Sequence, residues 1–383
     1  MHCRKSLISV VLLFTCFLLS SVNLFAQSKN NYTWRFGTSA EIKFNTTTNI
    51  PTVNNVSGNR NGYNTEGCAI ANDPLTGEVL FATDGTTVYD KNNSQMINGN
   101  AIGGNTNNTT AQAAAISVVP DCMNKQFYIF SNTANHSTTP TTAGVLSYSI
   151  VDMSLNGGLG QVIIKNQVLR NDVDEGMIVV VNITEHKFWL LTKVDKANKY
   201  VVIRIPSNPA DFVNNAKVYD LPPNAASGIA VLNNAFSLSY SKSAKKVAIA
   251  AWSPTACVAS VDFDESTGIP SNCQIIDNNA LNAAGNAATS AISDCEWSPD
   301  GSKLYAANAN AVNVYQYDFS QNPIKRTVVF NDANFLLSTA AGGFKVAPDG
   351  AIYYRYSILS ANIHKIAQPN LSGALCQFQQ NAL

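Results

Sequence analysis

Short apolar strands separated by tight polar turns recur along this chain. Cys68-Ala69-Ile70-Ala71 leads through Asp73-Pro74-Leu75-Thr76-Gly77 into Val79-Leu80-Phe81-Ala82. Ile116 to Val119, Pro120-Asp121 and Phe127 to Phe130 repeat the unit, as do Met177 to Val181 with Phe188 to Leu191, and Phe236 to Ser239 with Val247 to Ala250. Cys295-Glu296-Trp297-Ser298 and Phe344-Lys345-Val346 begin two more units, each turned by Pro-Asp-Gly. The turn chemistry is physical: Pro presets φ, Asp hydrogen-bonds locally and Gly accepts a positive φ. The strands are rich in Val, Ile, Tyr, Phe and Trp, which suit a pleated, half-buried surface. No convincing amphipathic helical stretch competes with this period.

Successive units start 48 to 61 residues apart, room for about four strands with turns. Later strands are visible within the units, such as Val145 to Ile150, Gln161 to Ile164, Tyr200 to Ile205, Val258 to Phe263 and Val312 to Phe319. The pattern predicts an all-β protein, a WD40/YVTN-like β-propeller of six to seven four-stranded blades. Six units are countable. The strands from Thr33 to Val53 either close the last blade or form a seventh that borrows a strand from the C-terminus. A β-sandwich would not repeat in groups of four strands with a Pro-Asp-Gly first turn.

The first 26 residues read as a secretory signal peptide and lie outside the fold. Arg4 and Lys5 make a basic start, Leu7 to Leu19 is apolar, and Leu24-Phe25-Ala26 ends in a small residue before Gln27. The apolar core is short for a spanning helix, which needs about 20 residues. Residues 27–383 are expected to form a single propeller domain, exported to the outer cell surface or the medium, with no membrane span after signal cleavage.

Charge narrows the partners. Beyond the signal the chain carries 23 basic and 25 acidic side chains, and only 13% of all residues are charged. That balance offers no electrostatic footprint for nucleic acid. Six of the eight cysteines lie beyond the signal, and an exported protein can keep disulfides. Cys257 and Cys273 flank the turn Asp264-Glu265-Ser266-Thr267-Gly268 almost symmetrically and are the best candidate pair. The pairing of Cys68, Cys122, Cys295 and Cys376 stays open.

Candidate chemistry is sparse. There is no Gly-x-Ser-x-Gly elbow, P-loop or Cys/His cluster, so no cofactor or metal is expected. His136 and His186 read as loop and turn residues, and His364 as an outward strand position. Gly157-Gly158-Leu159-Gly160 reads as a hairpin turn. Asp262 to Gly268 reads as a strand turn rather than a calcium loop. Trp189, Trp252 and Trp297 read as packing residues. Glu66, Glu175 and Asp294 each precede the first strand of a unit by one or two residues. If those strands line the channel, the three carboxylates gather at one mouth, to bind a cation or sugar or to cleave a glycoside. The plainer expectation is that they bond backbone amides and brace neighbouring blades.

Several strings resemble a known family. These are Trp34-Arg35-Phe36-Gly37, Asn64 to Cys68, Leu80 to Gly85 with Val88-Tyr89-Asp90 and Met96 to Gly99, and above all Val151-Asp152-Met153-Ser154-Leu155-Asn156-Gly157-Gly158-Leu159-Gly160. Together they resemble the N-terminal propeller of Bacteroidota surface proteins that carry PKD domains and a gliding-motility-associated C-terminal sorting domain for type IX secretion. The resemblance is strongest over residues 34–160 and brings no catalytic residues. It implies a non-catalytic binding or scaffold module, adhesive in character, whose partner is a surface protein or glycan met by polar loops such as Gly103 to Thr110 and Ser131 to Thr142. The alternative is a secreted carbohydrate-active enzyme or glycan- or cation-binding propeller using the channel-mouth carboxylates.

Overall fold

The computed structural model describes residues 28–36, 40–55, 67–106, 110, 112–122, 125–135, 143–222, 235–251, 257–278, 292–308, 313–331, 343–355 and 362–383. Its strands form a β-propeller. The described residues form six sheets, and one of them, of seven strands, is two blades joined by a shared strand. The 22-residue strand Gln161–Asn182 pairs with Gly144–Asp152 through its first half and with Lys187–Val194 through its second. It is therefore the outer strand of one blade and the inner strand of the next, which gives seven blades.

Blade 1 is Thr33–Phe36, Ala40–Phe44 and Pro51–Asn55, and blade 2 is Ala69–Asn72, Val79–Thr83 and Val88–Asp90. Blade 3 runs from Ala114–Val118 through Gln126–Asn132 and Gly144–Asp152 into Gln161–Asn182, and blade 4 continues through Lys187–Val194, Lys199–Arg204 and Ala216–Asp220. Blade 5 comprises Ala235–Ser241, Lys246–Ala251, Cys257–Asp264 and Ile269–Asp277. Blade 6 comprises Ile292–Trp297, Lys303–Asn308, Asn313–Asp318 and Lys325–Asn331. Blade 7 is Gly343–Val346, Ile352–Arg355, His364–Ile366 and Phe378–Gln379. Every pairing within a blade is antiparallel, so tight turns suffice as connections.

The predicted units are the inner two strands of blades 2 to 7. Of the two expectations for the N-terminal strands, the separate seventh blade is the one found: they make blade 1, with no C-terminal strand in it among the described residues, and Phe378–Gln379 completes blade 7 instead.

The core lies in the seams between blades. Between blades 4 and 5, Trp189, Leu191, Val202, Ile249, Val261 and Phe263 interlock. Between blades 3 and 4, Tyr128, Phe130, Tyr148 and Phe212 stack around Leu190 and Ile203. The ring closes at Trp34, Ile42 and Phe44 of blade 1, which pack on Tyr353 and Ile363 of blade 7. The rings of Trp34, Phe44 and Tyr353 meet edge to face at 4.9 to 5.8 Å between centroids. Polar ties hold the seam between blades 1 and 2: Asn72 donates to the carbonyls of Asn30 and Thr33, and Thr33 donates to the Gly77 carbonyl.

Candidate active site in the central cavity

Seven inner strands enclose a cavity of about 660 Å3. Its walls differ in chemistry. Blades 2, 3 and 4 contribute the apolar side chains Ile70, Ile116 and Ile178. Blades 5, 6 and 7 contribute Ser237 and Ser239, Asp294 and Glu296, and Lys345. A cleft of this size, mostly apolar with a few convergent polar groups, is the usual form of a small-molecule site.

Asp294 and Glu296 are two residues apart on the inner strand of blade 6, so they share a face. Ser237 and Ser239 have the same spacing on the inner strand of blade 5 and meet them rung for rung. Ser237 Oγ donates to Asp294 Oδ1, and Ser239 Oγ donates to Glu296 Oε1 at 2.6 Å. The Phe344 amide of blade 7 donates to Asp294 Oδ2 at 2.6 Å. The Trp297 amide donates to Glu296 Oε1 at 3.0 Å.

Burial pushes the Asp294 carboxyl up to about 6, against the pull of the Ser237 hydroxyl, the Phe344 and Cys295 amides and the Lys345 charge. Burial likewise pushes Glu296 up to about 7; the Ser239 hydroxyl opposes this and the nearby Asp294 charge adds to it. Two carboxyls poised close to neutrality on one cavity wall are suited to trading a proton. Lys345 stands beside them, with its ammonium 5.8 Å from the centroid of the Trp34 ring. Arg35 also reaches the wall, but its guanidinium is engaged. Nε bonds Glu41 at 2.8 Å and Nη1 bonds the Lys91 carbonyl and Asn93.

Of the three expected carboxylates, the two that are described do not gather. Asp294 lines the cavity, and its bond to the Phe344 amide braces blade 6 against blade 7. Glu175 is fully buried and is not among the lining residues. It sits where the long strand passes from blade 3 to blade 4. A register shift between Val173 and Met177 turns that segment inward, beside Asp174 and Lys193, whose charged atoms lie 3.5 Å apart. Glu66 lies outside the described residues. Glu296 and Lys345 were not singled out from sequence, because each sits inside a strand that read as generic repeat. Acidic residues at positions i and i+2 of an inner strand were the available signal.

Other expectations also change. Cys257 and Cys273 are both free, buried thiols. Two register shifts insert extra residues into the outer strand of blade 5, so Val258 pairs with Asp277. Cys273 falls opposite Val261, and four positions at ~3.3 Å each separate that point from Cys257. The Cα atoms of a disulfide lie within about 7 Å. Cys273 instead meets the Tyr200 hydroxyl at 3.5 Å. His364 is buried rather than outward, between Phe330, Tyr354 and Phe378, and its Nδ1 accepts from the Asn381 amide. His186 does occupy a turn, and Gly157 to Gly160 does turn a hairpin. Asp264 caps its own turn by accepting from Ser266 and Thr267. Trp189 and Trp297 pack in the seams as expected; His136 and Trp252 lie outside the described residues.

No protein-family model matches the chain. No curated protein matches it either. Solved structures do resemble it. A protein of Bacteroides fragilis described as a candidate 6-phosphogluconolactonase superposes with a TM-score of 0.53 at 12% identity, covering 92% of each chain. A counterpart from Bacteroides uniformis, described in the same way, gives 0.53 at 10% identity over 90% of each chain. A periplasmic gluconolactonase of Pseudomonas aeruginosa gives 0.50 at 15% identity over 92% of this chain and 94% of its own. At these identities the likeness establishes the fold. It also overturns the expectation of a non-catalytic binding or scaffold module that is not an enzyme, since these propellers bear lactonase names. A propeller without a recognisable catalytic motif carries no presumption against catalysis.

Proposed function

We propose that this chain is a hydrolase that opens a sugar lactone in its central cavity. The carrying observation is the Asp294–Glu296 pair, two carboxyls with raised pKa on one cavity wall. The lactonase names of the similar propellers support the same reaction class.

The chemistry balances with one proton on the pair. The ionised carboxyl takes a proton from water as its oxygen attacks the lactone carbonyl carbon. The Lys345 ammonium offsets the negative charge that develops on the carbonyl oxygen. The tetrahedral intermediate collapses, the ring C–O bond breaks, and the other carboxyl gives its proton to the departing ring oxygen. The pair still holds one proton, and the new acid releases its own to solvent. The apolar wall at Ile70, Ile116 and Ile178 faces the carbon skeleton, while Ser237 and Ser239 hold the carboxyls in place.

Export is part of the proposal. It rests on the basic start, the Leu7 to Leu19 run and the small residue Ala26, and one protein of this fold is named as periplasmic. Among the described residues no helix is long and apolar enough to cross a membrane.

The test is hydrolysis of glucono-δ-lactone by the purified protein, followed by acid release against the spontaneous rate. Wild type is expected to accelerate ring opening, with Asp294→Asn and Glu296→Gln each lowering kcat by about 100-fold or more. Absence of acceleration by the wild type, or variants as fast as wild type, overturns the reading.

A further inference from the structure

The hydrogen bonds around the carboxyl pair have a fixed direction. Gln112, just before the inner strand of blade 3, reaches across to blades 4 and 5. Its Oε1 accepts from two backbone amides, Met177 at 2.8 Å and Leu238 at 3.1 Å. That settles which end of the amide is oxygen, so Nε2 is a donor. It donates to the Leu238 carbonyl at 2.9 Å and to Ser237 Oγ at 3.3 Å. Ser237 Oγ thus receives an N–H, and its own single proton points at Asp294 Oδ1. Asp294 Oδ2 is occupied by the Phe344 amide. Both oxygens of Asp294 therefore face donors, an arrangement that favours the ionised form. Glu296 differs, because Oε1 takes both the Ser239 and the Trp297 bonds. Its second oxygen carries neither of these donors and is the place for a proton.

We propose that the pair is asymmetric: Glu296 holds the shared proton and is the acid, Asp294 is the base, and Gln112 acts through Ser237 as the positioning residue that keeps Asp294 ionised. The assignment of acid and base rests on the lactone-hydrolase reading; the location of the proton does not. Lys345 of blade 7 pulls both carboxyls towards the ionised form, and Arg355 of the same blade also lines the cavity. From blade 5 come hydroxyls only, Ser237, Ser239 and Tyr240, the last of these turned away to Glu265. Arg35 of blade 1 is held by Glu41.

The experiment is a carbon-13 NMR titration of the full protein labelled at Asp and Glu side-chain carboxyls, without substrate. Asp294→Asn and Glu296→Gln assign the two signals. Glu296 is expected to titrate at higher pH than Asp294. Ser237→Ala and Gln112→Leu are each expected to raise the Asp294 midpoint by about one unit, since a hydrogen bond to the charged form is lost or weakened. In the lactone assay the same variants should move the acid limb of kcat/KM upward, whereas a merely structural role would lower its height and leave its position. Ser237→Ala leaves every backbone tie of Gln112 intact, so it carries the test if Gln112→Leu does not fold. A reversed order of titration, or an Asp294 midpoint unmoved in Ser237→Ala, overturns the proposal. Failure of the wild type to open lactones would leave the titration result standing and would sink only the reaction.

Discussion

At the scale of the residue, Asp294 and Glu296 set the sign of a pH dependence. Each has a folded pKa above its ordinary value, so the folded state binds protons more tightly than the unfolded state between about pH 4 and 7. Their contribution to stability is full below about pH 4 and is lost as pH rises through 6 and 7, on the order of 3 kcal/mol per group. Asp264 runs the other way: hydrogen bonds from Ser266 and Thr267 hold it down at about 2, so its contribution is lost as pH falls. Asp318 is also lowered; burial opposes this, and Ser320, Ser372 and Lys303 outweigh it. The thermal midpoint is therefore expected to peak near pH 5. Asp294→Asn should flatten the decline towards pH 8 while abolishing activity, the usual exchange between stability and function at a site. Thermal scans from pH 4 to 8 check this. An Asp294→Asn midpoint at pH 8 no higher than wild type would contradict it. Asp294 was legible as a carboxylate at the start of a repeat unit, although it lies inside the inner strand Ile292–Trp297 rather than before it. Its partner Glu296 was not, because the strand period hides an acid among packing residues.

At the scale of the element, turns and bulges carry the information. Gly301 ends a Ser-Pro-Asp-Gly turn at φ +72°, and a Cβ there would lie 2.7 Å from the Ala244 amide of the neighbouring blade. Gly350 holds the equivalent turn in blade 7 at φ +79°, with open space around it. Gly301→Ala should destabilise by more than the 1–3 kcal/mol or so typical of a strained left-handed residue, and Gly350→Ala by about 1 kcal/mol. Urea unfolding of the two variants measures the difference, and equal losses would refute the packing argument. The Pro-Asp-Gly turns were readable because their local chemistry determines their shape. The long strand was not. Gln161 to Ile164 and Met177 to Val181 read as separate strands, yet repeated register shifts bend one continuous strand from blade 3 into blade 4.

At the scale of the whole molecule, closure of the ring rests on packing between its first and last blades. Phe44 is fully buried in that seam, between Trp34 and Tyr353. Phe44→Ala should cost about 3–5 kcal/mol. Trp34 also underlies Lys345 at the cavity wall, so loosening the seam should lower lactone hydrolysis as well as the thermal midpoint. The two readouts together separate this from a change confined to either the seam or the site. Stability unchanged in Phe44→Ala would mean that the ring closes by other contacts.

The sequence by itself determined the propeller, the seeds of blades 2 to 7 and the hairpin turns, because strand alternation and turn chemistry are local properties that repeat. It also offered Asp294 as a channel carboxylate, on the condition that its strand lines the channel. Only the tertiary structure decided that Glu175 is buried at a crossover, that Cys257 and Cys273 are offset thiols, and that blade 1 stands on its own strands. Bulges and seam packing govern those outcomes, and neither leaves a local signature. The site itself is of the same kind. Gln112, Ser237, Asp294, Glu296 and Lys345 come from four blades and converge only when the ring closes.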